Sequence, residues 1–151
     1  MGTMPTVEES IDIDRSPEDV FAFLTATETI PAFESQISHI EQVTAGDVGI
    51  GTQWRGATNV LGRKFDWVTE VVEYDPPARS HTKSVEGKLP FEIYYTLEPT
   101  ASGTRFTYRI DAESGLGGIF GKLGDPIVTR AQARTVRTNL ANLKEMLEAD
   151  T

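Results

Sequence analysis

Between residues 36 and 113 the chain alternates between apolar and polar residues, which is the period of a β-strand with one buried face. Gly, Pro, Asp and Ser residues interrupt this alternation at intervals and separate strand-like segments. Six strands are predicted here: 37–44, 52–60, 63–74, 79–85, 90–98 and 104–113. A seventh lies near the start of the chain, where Val7, Ile11 and Ile13 share one parity. Because the connecting turns are short, the pattern predicts an antiparallel sheet with one wet face.

Helical signals lie on both sides of these six strands. Ser16-Pro17 is typical of a helix start and predicts a short helix, and a second short turn of helix is predicted at 30–33. Near the end of the chain, Asp125-Pro126 opens a helix that nothing interrupts before Glu148. Its buried stripe consists of Val136, Leu140, Leu143 and Leu147. Towards the start of this helix the stripe continues through small or polar residues, namely Ala133, Gln132 and Thr129. We therefore expect tight packing at its C-terminal half and free space at its N-terminal half.

Composition narrows the classes of protein and partner. The 151 residues suffice for one hydrophobic core, so we predict a single domain, 1–151. A formal net charge of -9 repels phosphate backbones and argues against nucleic acid as a partner. The absence of cysteine excludes disulfides and thiol catalysis. No apolar run is long enough to span a membrane and no secretory signal is recognisable, so we expect a cytoplasmic protein.

The candidate binding residues are aromatic and share the apolar parity of their strands. They are Trp54, Trp67, Phe91, Tyr95, Phe106 and Tyr108. Thr129 and Ala133 on the last helix are small, and if this helix packs on the aromatic face, large residues opposite small ones predict a cavity for a small apolar or aromatic molecule. The alternative is that these aromatic residues only fill a core.

A few polar residues could orient a molecule in this cavity. Thr69, Tyr95 and Tyr108 offer hydroxyl groups, although strand hydroxyls commonly bond only to backbone or water. Arg130 could pair with an acidic ligand head group at the cavity mouth, whereas basic stripes on helices usually form a solvated face with ion pairs to Glu. Glu9 alternates in phase with Val7 and Ile11 and should therefore point inward. It is either a buried base or a hydrated residue at the end of the strand.

Other kinds of chemistry find little support in the sequence. His39 and His81 are the only imidazoles, and both are interpreted as lone surface residues. No metal-ligand spacing and no nucleophile motif occurs, so no metal and no cofactor are predicted. The glycine spacing at 115–121 fits neither type of phosphate-binding loop. This segment is interpreted either as a lid over one end of the cavity or as a simple connector.

Several short motifs match one known superfamily in their order and spacing. They are Ile11-Asp12-Ile13-Asp14-Arg15-Ser16-Pro17-Glu18-Asp19-Val20-Phe21, Ile30-Pro31-Ala32-Phe33, Val48-Gly49-Ile50-Gly51-Thr52, Val72-Glu73-Tyr74-Asp75-Pro76-Pro77, Gly103-Thr104-Arg105-Phe106-Thr107 and Asn139-Leu140-Ala141-Asn142-Leu143-Lys144. On these motifs the chain resembles the START/Bet v 1-like (SRPBCC) superfamily, and within it the polyketide cyclase/dehydrase and lipid-transport branch. It departs at Phe33, where relatives commonly have Trp. It also departs at positions that relatives usually fill with larger apolar residues, namely Ser80, Thr82 and Ser84.

The resemblance implies an α+β helix-grip fold. In this fold a curved seven-stranded antiparallel sheet wraps around the long C-terminal helix, with two short helices after strand one and a cavity between sheet and helix. Members of the superfamily differ in function, so the fold alone does not select one. We carry three hypotheses: a binder or carrier of a small hydrophobic molecule, a cyclase, aromatase or dehydratase in which Tyr95, Thr69 or Arg130 moves protons, and a co-chaperone or toxin-like interaction domain. We expect a monomer or a weak homodimer.

Overall fold

One seven-stranded antiparallel sheet forms the body of the protein, in a computed structural model that describes residues 6–60, 62–87, 90–112 and 126–149. The strands are β1 Thr6–Ile13, β2 Ile37–Gln42, β3 Gln53–Val60, β4 Arg63–Asp75, β5 Arg79–Gly87, β6 Phe91–Pro99 and β7 Thr104–Ala112. Their order in the sheet is β1-β7-β6-β5-β4-β3-β2. Strands β2 to β7 are therefore a meander, and β1 pairs with β7 at its far end. The predicted antiparallel sheet is confirmed.

The described part of the chain contains three helices, α1 Pro17–Thr25, α2 Ile30–Phe33 and α3 Pro126–Ala149. Helix α1 begins as the sequence indicates, because the Ser16 side chain accepts a hydrogen bond from the backbone N–H of Asp19 at 3.2 Å. A curved sheet with a C-terminal helix and two short helices after β1 is the helix-grip fold, so the predicted fold class is confirmed. The segment predicted as a lid or connector, 115–121, lies outside the described residues, as does Asp125, which is predicted to open the last helix.

The C-terminal half of α3 is anchored to the sheet and to the turn that follows β1. The buried apolar residues of α3, among those described, are the ones predicted from the stripe: Val136, Leu140, Leu143 and Leu147. Arg15 donates from Nη1 to the backbone carbonyl of Leu147 at 2.6 Å, and Lys144 donates from Nζ to the carbonyl of Asp12 at 2.9 Å. The first contact satisfies a carbonyl that the end of a helix leaves without an intrahelical partner. This end of α3 is therefore held by both packing and polar contacts.

The two faces of the sheet differ in polarity. The concave face, which meets the helices, carries most of the buried core; its buried apolar residues include Val7, Ile13, Trp54, Trp67, Val71, Tyr95, Leu97, Phe106 and Tyr108. The convex face carries ion pairs such as Arg105 with Asp12 and Arg109 with Asp111. A polar group that lies among these buried residues is therefore shielded from water.

Candidate functional site

A buried carboxyl group, that of Glu34, lies directly after α2. Both ends of that short helix are anchored, since Ile30 and Phe33 are buried in the core. The backbone N–H of Glu34 donates to the carbonyl of Ile30 at 3.0 Å, which continues the helical turn by one residue. The turn carries the Glu34 side chain inward, and the residue is only 3% exposed. Acidic residues are rarely this buried without partners.

Two tyrosines from the concave face of the sheet hold this carboxylate. Tyr95 on β6 and Tyr108 on β7 are directly opposite each other in the strand register. The Tyr108 hydroxyl donates to Glu34 Oε1 at 2.8 Å, and the Tyr95 hydroxyl donates to Oε2 at 3.3 Å. The side-chain amide of Gln36 donates to Oε1 at 3.3 Å. Both carboxylate oxygens are therefore hydrogen-bonded inside the core.

Burial dominates the electrostatics of this cluster. It raises the pKa of Glu34 from the ordinary 4.5 to about 6, although the hydrogen bonds from Tyr108, Tyr95 and Gln36 oppose the shift. Burial, followed by the negative charge of Glu34, holds the pKa of both tyrosine hydroxyls well above the ordinary value. The tyrosines are therefore neutral donors at neutral pH. The carboxyl group changes its charge close to physiological pH.

The cluster extends to the last helix through a second set of hydrogen bonds. Asn139 on α3 is buried, and its Nδ2 donates to Gln36 Oε1 at 2.8 Å. Its Oδ1 accepts a hydrogen bond from the hydroxyl of Ser35 at 2.9 Å. Gln36 therefore bridges Asn139 and Glu34. This arrangement connects the buried carboxylate to the position of α3.

An aromatic wall adjoins the tyrosines on the concave face. Tyr95 lies edge-on to Phe106, with ring centroids 5.3 Å apart, and Trp67 lies edge-on to Phe91 at 6.1 Å. Trp67 rests on the backbone of β3, since its cross-strand partner is Gly56 and a Cβ there would lie 2.7 Å from the indole ring. Both indole N–H groups are bound, that of Trp67 to Thr58 at 2.8 Å and that of Trp54 to Thr27 at 3.0 Å.

The middle of the concave face is lined by small and half-buried side chains. Strand β5 contributes Ser80, Thr82 and Ser84 to this face; Ser80 is buried and the other two are only half-buried. Three apolar neighbours on the same face are also only half-buried, namely Phe91, Ile93 and Ile110. Large residues thus surround a region of small ones on this face.

Most residues predicted for the site do lie together on the concave face. The buried ones are Trp54, Trp67, Thr69, Tyr95, Phe106 and Tyr108. Phe91 is half-buried on the same face, and Ala133 on α3 is half-buried against the core. Arg130 is exposed, and the side chain of Thr129 lies outside the described part of the structure. Glu34 is the residue that the sequence analysis missed.

Two other sequence interpretations change. The interpretation of His81 as a lone residue is wrong, because its Nε2 lies 2.8 Å from Glu92 Oε1 and its ring stacks on Tyr94, with centroids 4.1 Å apart. The two stacked rings border a concavity of about 300 Å³ on the convex face. Glu9 does not simply end a hydrated strand, since it is partly buried and pairs with Arg137 of α3 at 3.3 Å. That pair agrees with the ion pairing to Glu that is usual for basic residues on a solvated helix face.

None of the described helices is both long and apolar enough to cross a membrane. Within the same part of the chain, no group of three or more His, Cys, Asp or Glu side chains could hold a metal ion.

The chain belongs to the family described as polyketide cyclase / dehydrase and lipid transport, whose model matches residues 4–148. The predicted resemblance to the superfamily is therefore confirmed.

Solved structures of similar fold cover almost the whole chain. The TTHA0849 protein of Thermus thermophilus is 26% identical with a TM-score of 0.81, and the match covers 97% of this chain and 99% of that one. A START superfamily protein from Mycobacterium smegmatis is 17% identical with a TM-score of 0.78 and the same coverage, 97% and 99%. DR_A0006 of Deinococcus radiodurans is 16% identical with a TM-score of 0.73, again covering 97% and 99%. These last two similarities concern the fold alone. A comparison with curated proteins gives no match.

Proposed function

We propose that the protein binds a small apolar or aromatic molecule between the concave face of the sheet and the N-terminal half of α3. Thr129 and Ala133 border the proposed space from the helix, and Arg130 lies at its mouth. The Glu34 carboxylate with Tyr95 and Tyr108 forms its polar end. The wall consists of Trp54, Trp67, Thr69, Phe91 and Phe106.

One observation carries this proposal, namely the incomplete burial of side chains inside the curve of the sheet. Thr82, Ser84, Phe91, Ile93 and Ile110 all lie on the concave face and are only half-buried. In a filled core, opposing side chains would cover them completely, because protein interiors are packed as densely as organic crystals. Their remaining exposure, next to an aromatic wall and a few polar groups, is typical of a ligand site.

A variant that fills the space tests the proposal. Thr82 lies between Val71 and Ile93 in the strand register, so Thr82→Phe places a ring in the middle of the concave face. We expect its affinity for the uncharged naphthalene dye prodan to fall by about tenfold or more while the protein stays folded. The measurement is dye fluorescence in a titration, with circular dichroism to check folding.

Thr138→Phe is the matched control, because Thr138 is exposed on the C-terminal half of α3 and the same change there should leave dye binding unchanged. Wild-type affinity in the Thr82→Phe protein would place the dye elsewhere. Absence of dye binding to the wild-type protein would contradict the proposed function itself.

An enzymatic function of cyclase, aromatase or dehydratase type is the second candidate, and the pKa of Glu34 of about 6 favours it. A carboxyl group with this pKa can accept and donate a proton near neutral pH, whereas Tyr95, considered from the sequence, holds its proton too tightly. Native mass spectrometry of protein taken directly from cells would identify a bound molecule. Conversion of that molecule by the wild type, and binding without conversion by Glu34→Gln, would favour the enzyme. Release of the bound molecule in chemically unchanged form would favour the carrier function.

The remaining expectations stay predictions. They are a cytoplasmic location and a monomeric or weakly dimeric state. An exposed apolar patch at 115–121 would favour the hypothesis of an interaction domain, and that segment lies outside the described residues.

A further inference from the structure

The polar end of the proposed site presents only hydrogen-bond acceptors. A tyrosine hydroxyl has one proton, and both Tyr95 and Tyr108 donate theirs to Glu34. What remains on each hydroxyl oxygen is lone-pair density. A ligand group that approaches these oxygens must therefore supply the proton of the new hydrogen bond.

The same region carries a negative charge that no described cation neutralises. Glu34 forms none of the ion pairs found among the described residues, and its three described hydrogen-bond donors belong to neutral side chains. The other carboxylate with inward parity, Glu9, is already paired with Arg137. At neutral pH Glu34 is mainly ionised, since its pKa is about 6. A second negative charge brought into this low-dielectric region would be strongly repelled.

Given the ligand site proposed above, on which this inference rests, we propose that the ligand reaches Tyr95 and Tyr108 with a hydrogen-bond donor that has no negative charge. Phenolic hydroxyl and ammonium groups have this chemistry, and carboxylate and phosphate groups do not. The formal net charge of -9 also favours approach of cations over anions. An acidic head group at Arg130 would then have to remain at the mouth.

Four naphthalene probes of similar size test this proposal: naphthalene, 2-naphthol, 2-naphthylmethylamine and 2-naphthoate. Their affinities are measured by displacement of prodan at about pH 7.5, where Glu34 is ionised. We expect 2-naphthol or the amine to bind more tightly than naphthalene by about fivefold to tenfold. We expect 2-naphthoate to bind more weakly than 2-naphthol by roughly tenfold or more. The amine and the naphthol together separate a cationic donor from a neutral one.

Two variants connect the preference to these residues. Tyr95→Phe removes one acceptor oxygen with little change of shape, so binding of the donor probes should weaken towards that of naphthalene while naphthalene itself is unaffected. Glu34→Gln removes the negative charge and should reduce the difference in affinity between 2-naphthoate and 2-naphthol. Glu41→Gln is the control: it removes one negative charge at an exposed position on β2 and should leave that difference in affinity unchanged.

The outcomes separate this inference from the function on which it rests. Equal affinities for all four probes, or tightest binding of 2-naphthoate, would overturn the donor preference and leave ligand binding intact. Failure of every probe and of prodan to bind would overturn both. If Glu34→Gln does not fold, the wild-type affinities and Tyr95→Phe still decide the matter.

Discussion

Glu34 is the residue at which the cost of burial is most visible. Its carboxylate is surrounded by the core, and the three hydrogen bonds from Tyr95, Tyr108 and Gln36 only partly replace the lost hydration. The raised pKa expresses this imbalance as a preference for the neutral form. A residue that destabilises its own charged state is more typical of a functional site than of a purely structural network.

The raised pKa of Glu34 predicts how stability depends on pH. Between about pH 6 and the ordinary value of 4.5, the folded protein binds this proton while the unfolded chain does not. Acidification through this range should therefore raise the free energy of unfolding by about 2 kcal/mol through this group alone. In Glu34→Gln this contribution is absent. The free energy of unfolding of the wild type minus that of the variant should therefore rise by that amount as the pH falls from about 7.5 to 4.

Urea unfolding of both proteins across this pH range provides the measurement. Taking the difference removes groups that act in the opposite direction, such as Asp12 and Glu148, whose pKa values are lowered by Arg105 and Lys144 respectively. Glu41→Gln should follow the wild-type curve. If the free energies of unfolding of the wild type and of Glu34→Gln change with pH in parallel, the pKa of the Glu34 carboxyl group is not raised by folding.

The elements of the fold could be predicted from the sequence because each has a local signal. Strand alternation, turn residues and the four-residue and three-residue spacing of Val136, Leu140, Leu143 and Leu147 depend only on neighbours along the chain. The aromatic wall could be predicted from the same strand alternation, because its residues occupy the apolar positions of their strands. Strand bounds were accurate to within about two residues, as expected where strand ends fray.

The polar part of the site could not be predicted in this way. Glu34 lies beyond a helix of four residues, too short to define a face, and its tyrosine partners are 61 and 74 residues away in the sequence. His81 pairs with Glu92 only because β5 and β6 are adjacent in the sheet. The one local signal was a charged residue immediately after the buried Phe33. Such pairs depend on register, which alternation alone does not specify.

The whole molecule divides into an anchored end and a binding end. At the anchored end, one face of the C-terminal half of α3 is buried and its last turn is bound by Arg15. At the proposed binding end, several side chains of the sheet, such as Thr82, Phe91 and Ile93, are only half-buried. Asn139 lies between them and connects α3 to Gln36 and the Glu34 cluster. This division implies that stability and ligand affinity depend on different residues.

Leu143→Ala tests the division at the anchored end. Leu143 is fully buried, so the change leaves a cavity in the core and should lower the free energy of unfolding by about 2–5 kcal/mol. Affinity for prodan, corrected for the folded fraction, should change little, because the residue lies on the half of α3 away from the proposed site. Asn142→Ala, at the neighbouring exposed position, should affect neither quantity by much. Loss of dye affinity in Leu143→Ala protein that is still folded would mean that the ligand lies against the C-terminal half of α3.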